Sequence, residues 1–329
     1  MRLPLRIPRL EVPPFLASLG PVLAVSLALL AAGTPATSAP VRDAAEAKRV
    51  NLETSDGVSL ATWYYEPAED AKPLATVILV HDFEGSHKTV EPLALALREA
   101  GCTVAAPDLR GHGASKTRGG RDSGLDSRQL RKSDLELIAA GTGGRLREQS
   151  AVRGDLETVH AFLVSRGAAG GSAPAPLAVI GCGAGATLAT VWTAADWAWP
   201  PLASGPQGQQ VKALVLVSPI WAAKGLPLQP ALGTEALRRE VPVLVLAGTG
   251  DRDAVRLFDQ LKRQRPRAWF DQRADAEFTK AKEVEKPGDA TLFLVQLDTT
   301  LTGEKLTAEA DAAPRIKTFL ELVLDDESR

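Results

Sequence analysis

The chain has 329 residues, 45% of them hydrophobic and 24% charged, a globular composition that excludes a disordered or coiled-coil chain. A net charge of −2 leaves no global basic field, so no nucleic-acid partner is expected. The four histidines, His81, His87, His112 and His160, exclude any mechanism that draws an imidazole from beyond residue 160.

The N-terminus reads as a targeting segment. Arg2, Arg6 and Arg9 stand against Glu11, an apolar core runs from Val22 to Ala32, and GTPATSAP follows. That is the order of a secretory signal. The core is short beside the ~20 residues of a membrane-spanning helix, although counting from Phe15 lengthens it. Residues 1–39 are therefore read as a signal peptide or N-terminal membrane anchor, and the protein as exported. Membrane attachment through this segment belongs to the same expectation.

The domain is expected over 48–329. Arg49–Thr54 and Ser59–Tyr65 are β-rich runs around a Ser55-Asp56-Gly57 turn. Leu74–Val80 is a continuous apolar run that suits a strand buried on both faces. Val90–Ala100 has helical periodicity and ends at Gly101. A second buried strand follows at 102–107. Residues 117–150 form a polar excursion with a short helix at Ser127–Ala140. A helix is expected at Ala151–Ser165, with Val152, Leu156, Val159, Phe162 and Leu163 on one face, then a loop over Gly167–Pro176. Strands are expected at 175–181, 212–218, 242–248 and 291–297. Helices are expected at Ala184–Ala195, Asp253–Arg263 and Ala312–Leu324. The alternation predicts an α/β fold, mostly a parallel sheet with helices on both faces and an antiparallel N-terminal edge. Chemistry in such sheets sits at the carboxyl ends of the strands.

Three segments then carry a resemblance. His81-Asp82-Phe83-Glu84-Gly85-Ser86 is similar to an HGFxGS loop. Asp108-Leu109-Arg110-Gly111-His112-Gly113-Ala114-Ser115 is similar to a DxRGHGxS loop. Gly181-Cys182-Gly183-Ala184-Gly185 lies at a strand-to-helix turn of the G-x-S-x-G kind. In this order, each after an expected strand, they resemble the α/β-hydrolase fold family of serine esterases and aminopeptidases.

The resemblance implies a Ser, Asp/Glu, His triad in that chain order. Gly183 stands at the nucleophile position and has no nucleophile. Asp251 matches the acid. The histidine position falls near Thr300, and no histidine is there. The oxyanion donors of the family would survive as backbone N–H groups of Phe83 and Ala184. Such a pocket would hold a small acyl or anionic ligand without cleaving it. Glycine at the elbow relieves backbone strain of order 1–3 kcal/mol.

The other polar groups have plainer readings. Cys182 lies one position from the elbow centre and reads as a buried thiol. Cys102 begins one strand and Cys182 ends another, with a strand between them in the family's order, so no disulfide is expected. His81, Asp82, Asp108 and His112 match no zinc spacing, and no metal or other cofactor is expected. Trp192, Trp197, Trp199 and Trp221 read first as packing and second as a ligand or partner surface. Only 23 residues separate the 212–218 and 242–248 strands, so no large cap domain is expected there. The 117–150 excursion is the better cover for the site.

The leading expectation is an exported α/β-hydrolase-fold protein with a degenerate triad, acting in ligand binding or as an interaction scaffold. The alternative is an active esterase- or peptidase-like hydrolase using non-standard groups, with Asp251 retained. A third reading is an interaction module built on the tryptophan-rich loop. The protein partner is left open.

Overall fold

The computed structural model describes residues 47–68, 70–140, 153–169, 175–200, 203, 208–266, 268–273 and 290–324. The segment 1–39 read as a signal or anchor lies outside them, as do residues 141–150 of the polar excursion and the expected helix residues Ala151 and Val152.

The apolar runs become strands of one nine-stranded sheet. They are β1 (Lys48–Glu53), β2 (Ser59–Tyr65), β3 (Thr76–Val80), β4 (Thr103–Pro107), β5 (Leu177–Cys182), β6 (Val211–Val217), β7 (Val243–Gly248), β8 (Trp269–Gln272) and β9 (Leu292–Leu297). Their spatial order is β1-β2-β4-β3-β5-β6-β7-β9-β8. Both pairings of β2 are antiparallel, and every pairing from β4 to β8 is parallel. Every residue of β5, β7 and β9 is buried, as continuous apolar strands with helices on both faces must be. The fold is the α/β-hydrolase arrangement that the motifs imply.

Two apolar clusters line the two faces. α1 (His87–Glu99) and α7 (Ala312–Leu324) pack with Val77, Leu79 and Ile180. α2 (Lys132–Ala140), α3 (Asp155–Ala169), α4 (Ala184–Trp197) and α6 (Arg252–Gln264) pack with Ile78, Val179 and Leu216. Between β6 and β7 lie a two-residue strand pair, Ala222–Ala223 with Leu226–Pro227, and the one-turn helix α5 (Gln229–Leu232). No large cap is built there.

Some expected boundaries move: α1 begins at His87 rather than Val90. α3 begins at Asp155 and runs through Gly167 to Ala169. Asp155 sets the start: its buried carboxylate accepts from the Arg110 backbone N–H at 3.1 Å and from Nε at 2.9 Å. The helix expected at 127–140 divides into a 3-10 turn, Ser127–Gln129, and α2. The edge strand β8 has no counterpart among the expected elements. Its Trp269 is exposed and its run of four residues is short.

Candidate active site

The elbow is present. Gly183 lies between β5 and α4 with φ +54 and ψ −117, a conformation that favours glycine. Its position is fixed from both sides: its N–H donates to Val217 O of β6 at 2.9 Å, and its carbonyl accepts from Ala186 at 3.1 Å.

The space in front of the elbow is filled by Asp82, the residue after β3 and His81. A Cβ on Gly183 would fall inside the Asp82 carboxylate. Asp82 Oδ1 accepts the backbone N–H of Phe83 at 2.7 Å and that of Ala184 at 2.7 Å. These are the two N–H groups expected as oxyanion donors, and the structure brings them onto one oxygen. Ala184 opens a helix of 14 residues, whose N-terminal dipole adds to the attraction for negative charge. The donor pair thus already holds an anion of the protein's own.

The loop after β9 completes the enclosure. Thr300 is exposed. The residues of that loop that reach the elbow are Gly303 and Glu304. A Cβ on Gly303, which has φ +61, would stand 2.7 Å from Asp82 Oδ2. Glu304 Oε2 accepts from the Asp82 N–H at 3.3 Å and from Thr89 Oγ1 at 2.7 Å. Asp82 as occupant and Gly303-Glu304 as neighbours were not foreseen. One signal was readable: Asp82 replaces the second position of HGFxGS, where the motif has glycine.

Asp251 follows β7, where the resemblance implies the acid. Its Oδ1 accepts from Ala254 N–H at 3.1 Å and caps α6, a role worth ~1 kcal/mol. Its Oδ2 is buried and has no hydrogen-bond partner among the described residues.

The histidines are engaged elsewhere. His81 is fully buried. Its Nε2 accepts from the Leu109 N–H at 3.1 Å, so its Nδ1 is the donor to Asp82 O at 2.6 Å. Burial first, then the neighbouring His112, pushes its pKa down to about 4. His112 Nδ1 lies 3.0 Å from Arg110 O, and burial lowers its pKa. His87 Nδ1 lies 3.0 Å from Asp108 Oδ1, which also accepts the His87 N–H at 2.7 Å. Asp108 Oδ2 accepts the Ala114 N–H. His160 sits beside Glu157 and Trp192 on the outer helix layer. Among the described residues, no three His, Cys, Asp or Glu side chains are grouped to hold a metal ion.

Cys182 and Cys102 are buried free thiols; Cys182 ends β5 and Cys102 precedes β4, with β3 between the two strands. Burial raises the Cys182 pKa far out of the reactive range, with Asp82 and Glu304 adding to it. Burial pushes Cys102 up to about 12. Neither forms a thiolate nucleophile near neutral pH.

The outer wall is built by contacts from the polar excursion. Lys224 Nζ lies 4.3 Å from the Phe83 ring centre and donates to Ser127 O at 3.0 Å and Arg128 O at 2.8 Å. Arg128 lies 3.6 Å from Glu84. Of the tryptophans, Trp192 is buried, Trp197 donates to Val211 O, and Trp221 lies under Arg256.

Comparison with known proteins agrees with this architecture. The model of the family described as serine aminopeptidase, S33, matches residues 71–238. An esterase from Pyrococcus furiosus superposes with a TM-score of 0.54 at 16% identity, over 85% of this chain and 91% of that one. A thermostable carboxyl esterase from Bacillus coagulans, in complex with glycerol, gives 0.51 at 12% identity, over 84% and 98%. At these identities the likeness is one of fold. No curated protein sequence matches the chain.

Proposed function

The chain belongs to the serine aminopeptidase S33 family of α/β-hydrolases, and from that premise we propose that it is an exported, non-hydrolytic member acting as a binding or interaction scaffold. One observation carries the reading. The Asp82 carboxylate occupies both the space of a nucleophile side chain at Gly183 and the two N–H donors of Phe83 and Ala184. An incoming ester or amide would find no nucleophile, no imidazole and no vacant oxyanion hole. Two of the catalytic groups that acyl transfer needs are absent, and the electrostatic one is occupied by a like charge. A small acyl or anionic ligand at the elbow would have to displace Asp82.

The retained Asp251 does not require retained catalysis, because capping α6 is a sufficient reason for an aspartate there. Its orphan Oδ2 is the atom that a triad histidine would otherwise satisfy. Turnover assays on short-chain acyl esters and aminoacyl anilides test the reading. The expected result is no turnover above buffer. Turnover that disappears in Asp251→Asn would establish the active-hydrolase alternative instead.

Export rests on the order of Arg2, Arg6 and Arg9, the Val22–Ala32 core and the small residues after it. Intact-mass analysis of the secreted chain tests it. Removal of a segment ending between Gly33 and Ala39 supports a cleaved signal. An intact N-terminus in the membrane fraction supports the anchor. A full-length chain in the cytosol overturns export.

A further inference from the structure

A groove of about 450 Å³ runs along one stripe of α6. Its wall carries Arg252, Arg256 and Arg263, with Asp251, Asp259 and Gln296 beside them. At ~100° per residue, positions 252, 256, 259 and 263 fall within about 60° of one another, so they share one face of the helix. Gln296, near the end of β9, forms the floor, and its amide is turned toward Gly248 O at 3.4 Å.

The charges in this wall are not balanced. Asp251 caps α6 through Oδ1 and remains one carboxylate against three arginines. Asp259 is paired with Arg273 at 3.0 Å. Among the described residues, none of the three arginines pairs with a carboxylate. Arg256 is nevertheless held in place, because its guanidinium lies 4.3 Å from the centre of the Trp221 ring. A guanidinium held over an indole ring is restrained while keeping N–H groups for an anion. A solvated basic stripe needs no such platform and no groove beside it.

We propose that this groove binds a small molecule carrying a phosphate monoester, with the phosphate between Arg252 and Arg256 and its body directed along α6 toward Arg263. Arg252 and Arg256 are one turn apart, ~6 Å along the axis, a spacing at which two long side chains can reach one oxyanion. Two forks present a charge of +2 and several parallel N–H donors. A phosphate monoester carries about −1.5 to −2 near neutral pH and three acceptor oxygens, whereas a single carboxylate leaves one fork unmatched. Arg263, ~16 Å from Arg252 along the helix, sets the length of ligand that the groove accommodates. The groove shares Asp251 with the candidate active site but uses neither Gly183 nor the Phe83 and Ala184 N–H groups, so its failure and the failure of the non-hydrolytic reading are separate results.

The test is isothermal titration of the whole chain with phenyl phosphate, and with benzoate as a carboxylate of the same body, at fixed ionic strength. Phenyl phosphate is expected to bind one per chain, more tightly than benzoate. Arg252→Gln and Arg256→Gln should each weaken it about tenfold, and Arg256→Lys should weaken it less than Arg256→Gln. Both arginines are exposed, so melting temperatures should hold and loss of binding cannot be ascribed to unfolding. The proposal is overturned by no binding, by unchanged affinity in both glutamine variants, or by benzoate binding as tightly as phenyl phosphate.

Discussion

Asp82 Oδ1 and the backbone N–H of Ala184 are hydrogen-bonded at 2.7 Å across 102 residues of sequence, and the same oxygen accepts the Phe83 N–H. The bond to Phe83 is local and common for aspartate. The bond to Ala184 joins the β3 loop to the first turn of α4, so the carboxylate fastens the two segments that would otherwise face a substrate.

That fastening has a measurable size. Asp82→Ala leaves two N–H groups without an acceptor, at ~1–3 kcal/mol for each that stays buried. The variant is expected to lose about 2–3 kcal/mol in urea unfolding. Acetate should restore part of this loss in the variant and nothing in the parent, since an anion that binds only the folded state stabilises it. Equal responses to acetate in both proteins would show that the donor pair is not an anion site.

The elbow glycine and Asp82 are coupled. Gly183→Ser places a Cβ inside the Asp82 carboxylate and a side chain on a residue at φ +54. It should destabilise the fold by ~3 kcal/mol or more. Gly183→Ser with Asp82→Gly removes the collision and should be more stable than Gly183→Ser alone, a non-additivity larger than the ~2–3 kcal/mol that losing Asp82 costs by itself. The double variant should still turn over no ester, because no imidazole reaches the elbow. Additive losses would break the spatial claim.

His81 makes stability depend on pH. Its folded pKa is pushed down to about 4 by burial and by His112, with Asp108 and the Asp82 carbonyl pulling the other way and His87 adding a small push. The unfolded imidazole titrates near ~6.5. Between these values the unfolded chain binds the extra proton, so stability falls as the pH drops from ~6.5 toward 4 and is fully present above ~6.5. The part of the loss assigned to His81 is on the order of 3 kcal/mol. Denaturant midpoints in the parent and in His81→Asn test this, and the variant should show a shallower decline over that window. An identical decline would assign the effect to other groups.

Much of this architecture was readable in the chain. Continuous apolar runs such as Thr76–Val80 and Val243–Gly248 declare strands buried on both faces, and their order implies the sheet. β8 was not readable, because Trp269–Gln272 is a short edge strand with one face in water and no apolar run to mark it. The start of α3 was misplaced because Val152 fits the helical period, whereas the helix begins where Asp155 meets Arg110. The glycine at position 183 and the lack of a histidine near Thr300 were visible. What fills the gap was not, since Asp82 and Gly183 are 101 positions apart and meet only because β3 and β5 are neighbours. The approach of Gly303 and Glu304 depends on the path of the loop after β9, which spacing alone does not give.

The central claim is that the elbow carries no reactive nucleophile. Incubation of the purified chain with a fluorophosphonate probe, followed by intact-mass analysis, tests it most directly. The expected result is an unmodified protein at probe excess. Stoichiometric labelling of a single serine, abolished by prior unfolding, would contradict the account.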